Sequence, residues 1–163
     1  MNLRNLFKRR PKKSLLKIGD FSYTEESFND KNGESVVYKD YNATGWIWNT
    51  PIHVCFSEYD IENLDLFIVE LNDRLDSINE SREMIEKEII QELFTLRNET
   101  WIEHDDDQVS KQEFIKRIKP DHLTISNDLS YDLRFDDGDL FWGHTIVFHG
   151  DSSNKCDGVG LEG

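Results

Sequence analysis

The densest run of side chains able to do chemistry is Phe135-Asp136-Asp137-Gly138-Asp139-Leu140-Phe141-Trp142-Gly143-His144-Thr145-Ile146. Three carboxylates within four residues could hold a hard cation such as calcium or magnesium through oxygen. The string lacks the spaced acids and distal Glu of an EF-hand, and acids are ordinary in a turn around a glycine because they hydrogen-bond their own backbone. No metal and no cofactor is therefore assigned. His144 offers a general base beside this turn or near His122, with Asp139 the nearest acidic candidate. On a regular strand His144 shares a face with Leu140, Trp142, Ile146 and Phe148, as a core histidine bonded to a carbonyl or carboxylate would, while His149 points the opposite way. The catalytic candidates are thus His144 and Asp139, and the binding candidates in this string are Asp136, Asp137, Asp139 and Trp142.

The run Asp137-Gly138-Asp139-Leu140-Phe141-Trp142-Gly143-His144 resembles a bacterial family catalogued as domain of unknown function 2262. The resemblance also rests on Asn98 followed by Trp101 at a helix end, on Glu113-Phe114 in the next helix and on the closing Gly158 to Gly163, and it covers residues 60 to 163. It implies a small bacterial domain. It implies no reaction, because that family has no established activity or catalytic residues.

Other chemistry is scarce. GxSxG, P-loop, GxGxxG, HExxH and kinase signatures are absent, which argues against most common enzymes. Cys55 and Cys156 belong to no CxxC or Cys/His spacing, so there is no case for a structural zinc site, and both are expected as free thiols. Cys55 alternates with Ile52, Val54 and Phe56 in Pro51-Ile52-His53-Val54-Cys55-Phe56, which reads as a packing cysteine on the second face of a strand rather than a nucleophile.

Charge supplies the strongest hint of a partner. The 163 residues carry 19 Lys+Arg against 33 Asp+Glu, a net charge of -14. Residues 1 to 17 hold Arg4, Lys8, Arg9, Arg10, Lys12, Lys13 and Lys17 and no acid, so residues 18 to 163 have 12 basic side chains against all 33 acids. The sequence therefore divides into a basic arm, 1–17, and a single α+β domain, 18–163. The arm could touch nucleic acid or anionic lipid; the simpler reading is a mobile terminus, or one lying across the protein's own acidic surface. Pro11, Lys12 and Lys13 stand where a secretory signal needs its apolar region, so a cytoplasmic location is expected. No stretch approaches the roughly 18 apolar residues of a membrane-spanning helix.

The acidic body disfavours nucleic acid. Between Glu58 and Glu80 eight acids (Glu58, Asp60, Glu62, Asp65, Glu70, Asp73, Asp76, Glu80) face one base, Arg74. A field of one sign steers a partner of the other and speeds association, which adds Glu62, Asp65, Asp73 and Asp76 to the binding candidates. The function expected first is a non-enzymatic protein-binding module, of the inhibitor or immunity type, that caps a basic protein such as a toxin or nuclease. The alternatives are an unrecognised hydrolase or metal-dependent enzyme using the Asp136–Asp139 turn and His144, and an accessory domain docked through its basic arm.

The elements that must position these residues read as strands, then helices, then strands. Asn32-Gly33 is a hairpin turn flanked by Phe21, Tyr23, Val36, Val37 and Tyr38, and Gly45-Trp46-Ile47-Trp48 continues the pattern with two Trp on one face. Ile61, Leu64, Ile68, Leu71, Leu75 and Ile78 form one helical stripe, with Asp60 as N-cap. Met84, Ile85, Ile89, Leu93 and Leu96 form a second, joined to the first at Asn79-Glu80-Ser81 or continuous with it as one bent helix. Glu103 to Asp107 reads as a loop, Ser110 to Glu113 as a capping box that opens a short helix stopped by Pro120. Strands are predicted over His122 to Ser126, Leu129 to Phe135 and Leu140 to Phe148, with one short edge strand in the tail. The expected fold is α+β: an antiparallel sheet with the central helices packed on one face.

Overall fold

The computed structural model describes residues 15–59, 61–104 and 107–163. The basic arm up to residue 14, Asp60, Asp105 and Asp106 thus lie outside the described residues. Seven strands form one sheet in chain order: β1 (Ser22–Asn29), β2 (Ser35–Ile47), β3 (Thr50–Ser57), β4 (Lys119–Ile125), β5 (Tyr131–Asp136), β6 (Thr145–Gly150) and β7 (Cys156–Glu162). Among the described residues three α-helices, α1 (Leu64–Glu80), α2 (Arg82–Thr100) and α3 (Lys111–Arg117), lie between β3 and β4.

The class is α+β, and the sheet is mostly but not wholly antiparallel. β3 pairs β4 in parallel, His53 opposite His122 and Cys55 opposite Thr124. The helical insertion explains the departure: a chain leaving β3 through three helices has the length to cross over and re-enter beside β3 in the same direction, which a tight turn cannot do.

Alternation decides which side chains are buried. Ile52, Val54 and Phe56 of β3, Leu123 and Ile125 of β4, Tyr131, Leu133 and Phe135 of β5, and Ile146 and Phe148 of β6 are buried. They join Phe67, Leu71, Leu75, Ile78, Ile85, Ile89 and Phe114 from the helices in one hydrophobic cluster. Phe56 meets Phe67 of α1 with ring centroids 4.9 Å apart. Of the intervening strand residues, His53, Cys55, His122, Thr124, Asp132, Arg134 and His149 are half-buried or exposed, whereas Val147 of β6 is buried.

The helical stripes are where the spacing puts them, with different ends. α1 starts at Leu64, and its N-cap is Asn63, whose side chain accepts from the Leu66 N–H at 3.1 Å, rather than Asp60. Ser81 is at once the C-cap of α1 and the N-cap of α2, so the run is two abutting helices. On α2 it is Arg97, not Leu96, that is buried beyond Leu93. Ser110 caps α3 through the Glu113 N–H at 3.1 Å. The helix ends at Arg117, and Pro120 sits inside β4.

Two expectations about aromatic placement fail for one reason, backbone at positive φ. Trp48 and Asn49 have φ of 51° and 66° and make the β2–β3 turn, the arrangement a tight hairpin needs at both central residues. Trp46 therefore lies on β2 between the buried Gly45 and Ile47, whereas Trp48 leaves the strand and packs on Phe135, 5.8 Å away. The strand predicted over Leu140 to Phe148 begins only at Thr145, because residues 138 to 143 include four positive-φ positions: Gly138, Asp139, Trp142 and Gly143.

Candidate functional site

The loop between β5 and β6 is folded around Asp137. Asp137 is 5% exposed, and its carboxylate accepts from three backbone N–H groups: Asp139 at 3.1 Å, Phe141 at 2.7 Å and Gly143 at 3.1 Å. Asp136 accepts from the Gly138 N–H at 2.8 Å, and the Arg117 guanidinium donates to the Gly138 carbonyl. Gly138 is required twice over. Its φ is +57°, and a Cβ there would fall 2.6 Å from the Arg117 carbonyl oxygen. The acidic turn is thus held by its own backbone, as turn chemistry requires.

Residues that are scattered in sequence converge on this loop. Trp101, at the end of α2, lies 5.6 Å from Phe141, 5.1 Å from Trp142 and 4.8 Å from His144. Phe114 of α3 meets Phe141 at 6.0 Å. Asn98 clamps Val109, donating to its carbonyl at 2.9 Å and accepting its N–H at 3.0 Å, which closes the segment between α2 and α3. Gly163 leaves room for His144, since a Cβ there would lie 2.4 Å from His144 Cδ2.

His144 itself is half-buried in the loop, not on a strand face with Ile146 and Phe148. Its Nδ1 donates to the Phe141 carbonyl at 2.7 Å. A cleft of about 470 Å³ brings His144 together with Asp136, Asp137, Asp139 and Thr145. Asp121, His122 and Arg134 from β4 and β5 line the same cleft. Asp121 reaches it because the β4–β5 register shifts between Pro120 and His122, leaving Asp121 as the extra residue. Among the described residues no group of three or more His, Cys, Asp and Glu side chains is placed to hold a metal ion.

A second cluster adjoins this cleft on β3 and β4, and the sequence reading missed it. Cys55 Sγ lies 3.1 Å from His122 Nε2 and 3.4 Å from Thr124 Oγ1. The His53 and His122 rings are 4.8 Å apart, and His53 Nε2 is 2.8 Å from Asn42 Oδ1. The parallel β3–β4 register alone brings these together, and nothing in local spacing signals it. Burial pushes the Cys55 thiol up, and burial followed by the neighbouring His53 pushes His122 down. Both shifts favour the neutral forms of the pair.

The His122 shift has a sign that can be measured. Its value in the folded chain is below the ordinary 6.5, so the unfolded chain binds the extra proton first. The stability that neutral His122 contributes is complete above the unfolded value and is lost as pH falls through the folded one. The thermal midpoint is expected to fall more steeply between about pH 7.5 and pH 5 in the native chain than in His122→Gln, and parallel slopes would remove this assignment.

The acidic candidates lie apart from the cleft. Asp65, Glu70, Asp73 and Glu80 are exposed on α1, and Glu62 is exposed just before it. Asp76 is half-buried on the same helix. Arg74, the one base of the segment, is buried, donates to the Ser152 carbonyl at 2.5 Å and lies over the Tyr131 ring. Leu66 and Val69 are 53% and 58% exposed. At 100° per residue these two fall on the same side of α1 as the exposed acids, opposite Leu71, Arg74 and Ile78.

The family model described as "uncharacterized protein conserved in bacteria (DUF2262)" matches residues 37–161 of this chain. The match extends into β2, upstream of the residues that carry the resemblance in sequence. No curated protein and no solved structure matches the chain.

Proposed function

We propose that this chain, which belongs to the bacterial family of uncharacterised proteins DUF2262, is a non-enzymatic protein-binding module that captures a basic partner on the outer face of α1. The supporting observation is the exposed pair Leu66 and Val69 set among Asp65, Glu70, Asp73 and Glu80. Protein interfaces combine apolar contact with a polar rim, and charge of one sign raises the association rate of the opposite sign. Solubility alone accounts for the acids and leaves two large apolar side chains on that face without a purpose. The reading takes the three helices as packed on one face of the sheet, with the outer side of α1 as free surface. An inhibitor or immunity protein that caps a basic toxin or nuclease in the cytoplasm is the role this chemistry fits.

The test is capture from lysate of the native host at about 0.15 M salt, using the full chain and a variant with Glu62, Asp65, Glu70 and Asp73 changed to Lys. A stoichiometric basic protein, retained by the native chain and lost by the variant, is expected. Capture that survives charge reversal, or no captured protein from either sample, overturns the reading.

A second reading, a hydrolase or metal-dependent enzyme, draws support from one observation: His144, Asp139 and the Asp136 turn share a cleft with His122 and Arg134. The use of Asp137 by three backbone N–H groups weighs against it, because that carboxylate is spent on the loop. Asp139 and the Nε2 of His144 are the groups it would have to use.

A further inference from the structure

We infer that the groove walled by the β2–β3 turn, α2 and α3 binds a small amphipathic anion, an apolar body carrying a carboxylate, sulfonate or phosphate group. The groove has a volume of about 600 Å³, within the range of small-ligand sites. Trp48, Ile90, Ile115, Ile118 and Pro120 supply apolar walls. Such a surface holds an apolar body by area and does not select its charge.

The rim sets the sign. Arg82, Lys111, Lys116 and Lys119 line the groove. They are four of the 12 basic residues between 18 and 163, whereas Glu86 is one of 33 acids and the only acid in the lining. Glu86 is already engaged, 2.7 Å from Arg82 Nε. None of the three lysines forms an ion pair among the described residues. A body this acidic gains nothing for solubility by gathering cations around an apolar concavity. An anionic head group is what those ammonium groups can pair with, at the mouth of a groove where water is partly excluded.

The wall is built before any ligand arrives. Asn79 Oδ1 accepts from the Trp48 N–H at 2.8 Å, and its amide donates to the Trp46 carbonyl at 3.1 Å, so α1 holds the turn that carries the indole. The Trp48 indole N–H reaches the Ile78 carbonyl at 3.4 Å, and the Arg82 guanidinium lies over the ring at 5.1 Å. A preformed aromatic wall costs no ordering on binding. This site uses none of the outer α1 residues of the proposed partner interface, and the two stand or fall separately.

Titration of the ¹⁵N-labelled full chain with decanoate, and separately with decyltrimethylammonium, tests it by the indole N–H signal of Trp48, identified through its loss in Trp48→Phe. Decanoate is expected to shift that signal saturably, and the cation of the same tail is not. Lys116→Glu with Lys119→Glu, both exposed, should weaken decanoate by about tenfold or more, and Ile115→Asp should abolish the shift. Equal response to both surfactants, no saturable shift at Trp48, or an affinity indifferent to the lysine reversal would overturn the inference.

Discussion

Asp137→Ala is expected to lower the thermal midpoint by about 6–12 °C, corresponding to roughly 3 kcal/mol for a chain of this length. The size follows from how the loop closes. The carboxylate accepts from the N–H groups of Asp139, Phe141 and Gly143, filling three of about four acceptor positions in a buried setting. Alanine leaves those donors without a partner, and charge-assisted bonds are the stronger kind. The loop also holds Asp139 and Trp142 at positive φ, conformations that ordinary residues adopt only when their surroundings impose them. Asp137→Asn keeps the shape but turns one acceptor oxygen into a donor that faces a donor, so it should recover only part of the loss. Thermal unfolding followed by circular dichroism reads both variants. A shift below about 2 °C for Asp137→Ala would mean that the loop is held by packing rather than by this carboxylate.

That outcome bears on how the most distinctive string of the sequence is understood. Asp136, Asp137 and Asp139 are legible as a turn, and Gly138 as its positive-φ residue, because the reasons are local: acids bond nearby N–H groups, and glycine tolerates the backbone. The helical stripes of α1 and α2 are legible for the same reason, since periodicity is carried within each element. What stayed hidden is whatever depends on pairing between distant segments. No spacing announces that β3 and β4 run parallel, and with that register went the contact of Cys55 with His122. Leu140, Trp142 and His144 alternate as strand residues would, yet Trp142 and Gly143 leave extended backbone at φ of 55° and 87°, which takes His144 off the strand. Trp101 is visible as a single residue in sequence, yet its role against Phe141, Trp142 and His144 exists only after α2 and the β5–β6 loop have packed. The basic groove was invisible because its cations come from α2, α3 and the start of β4.

Phe114→Ala is expected to cost about 3–5 kcal/mol, and with it the midpoint should fall by roughly 6–20 °C. Phe114 is fully buried and is the one residue of α3 in that class. A seven-residue helix has no stability of its own in water, so α3 exists because this ring is anchored. Its partners are Phe94 of α2 at 6.1 Å and Phe141 of the β5–β6 loop at 6.0 Å. Removing the ring opens a cavity where two elements and the loop meet, and the site cannot collapse without moving all three. Phe114→Leu keeps most of the volume and should lose less than half as much. Hydrogen exchange separates the two ways the loss can be distributed. If α3 is a local unit, its amides lose protection far more than those of β5 and β6. Decanoate binding would then vanish as well, because Lys111, Ile115 and Lys116 leave the groove together. If protection falls evenly across the sheet, Phe114 belongs to the global core, and the groove persists for as long as the chain remains folded.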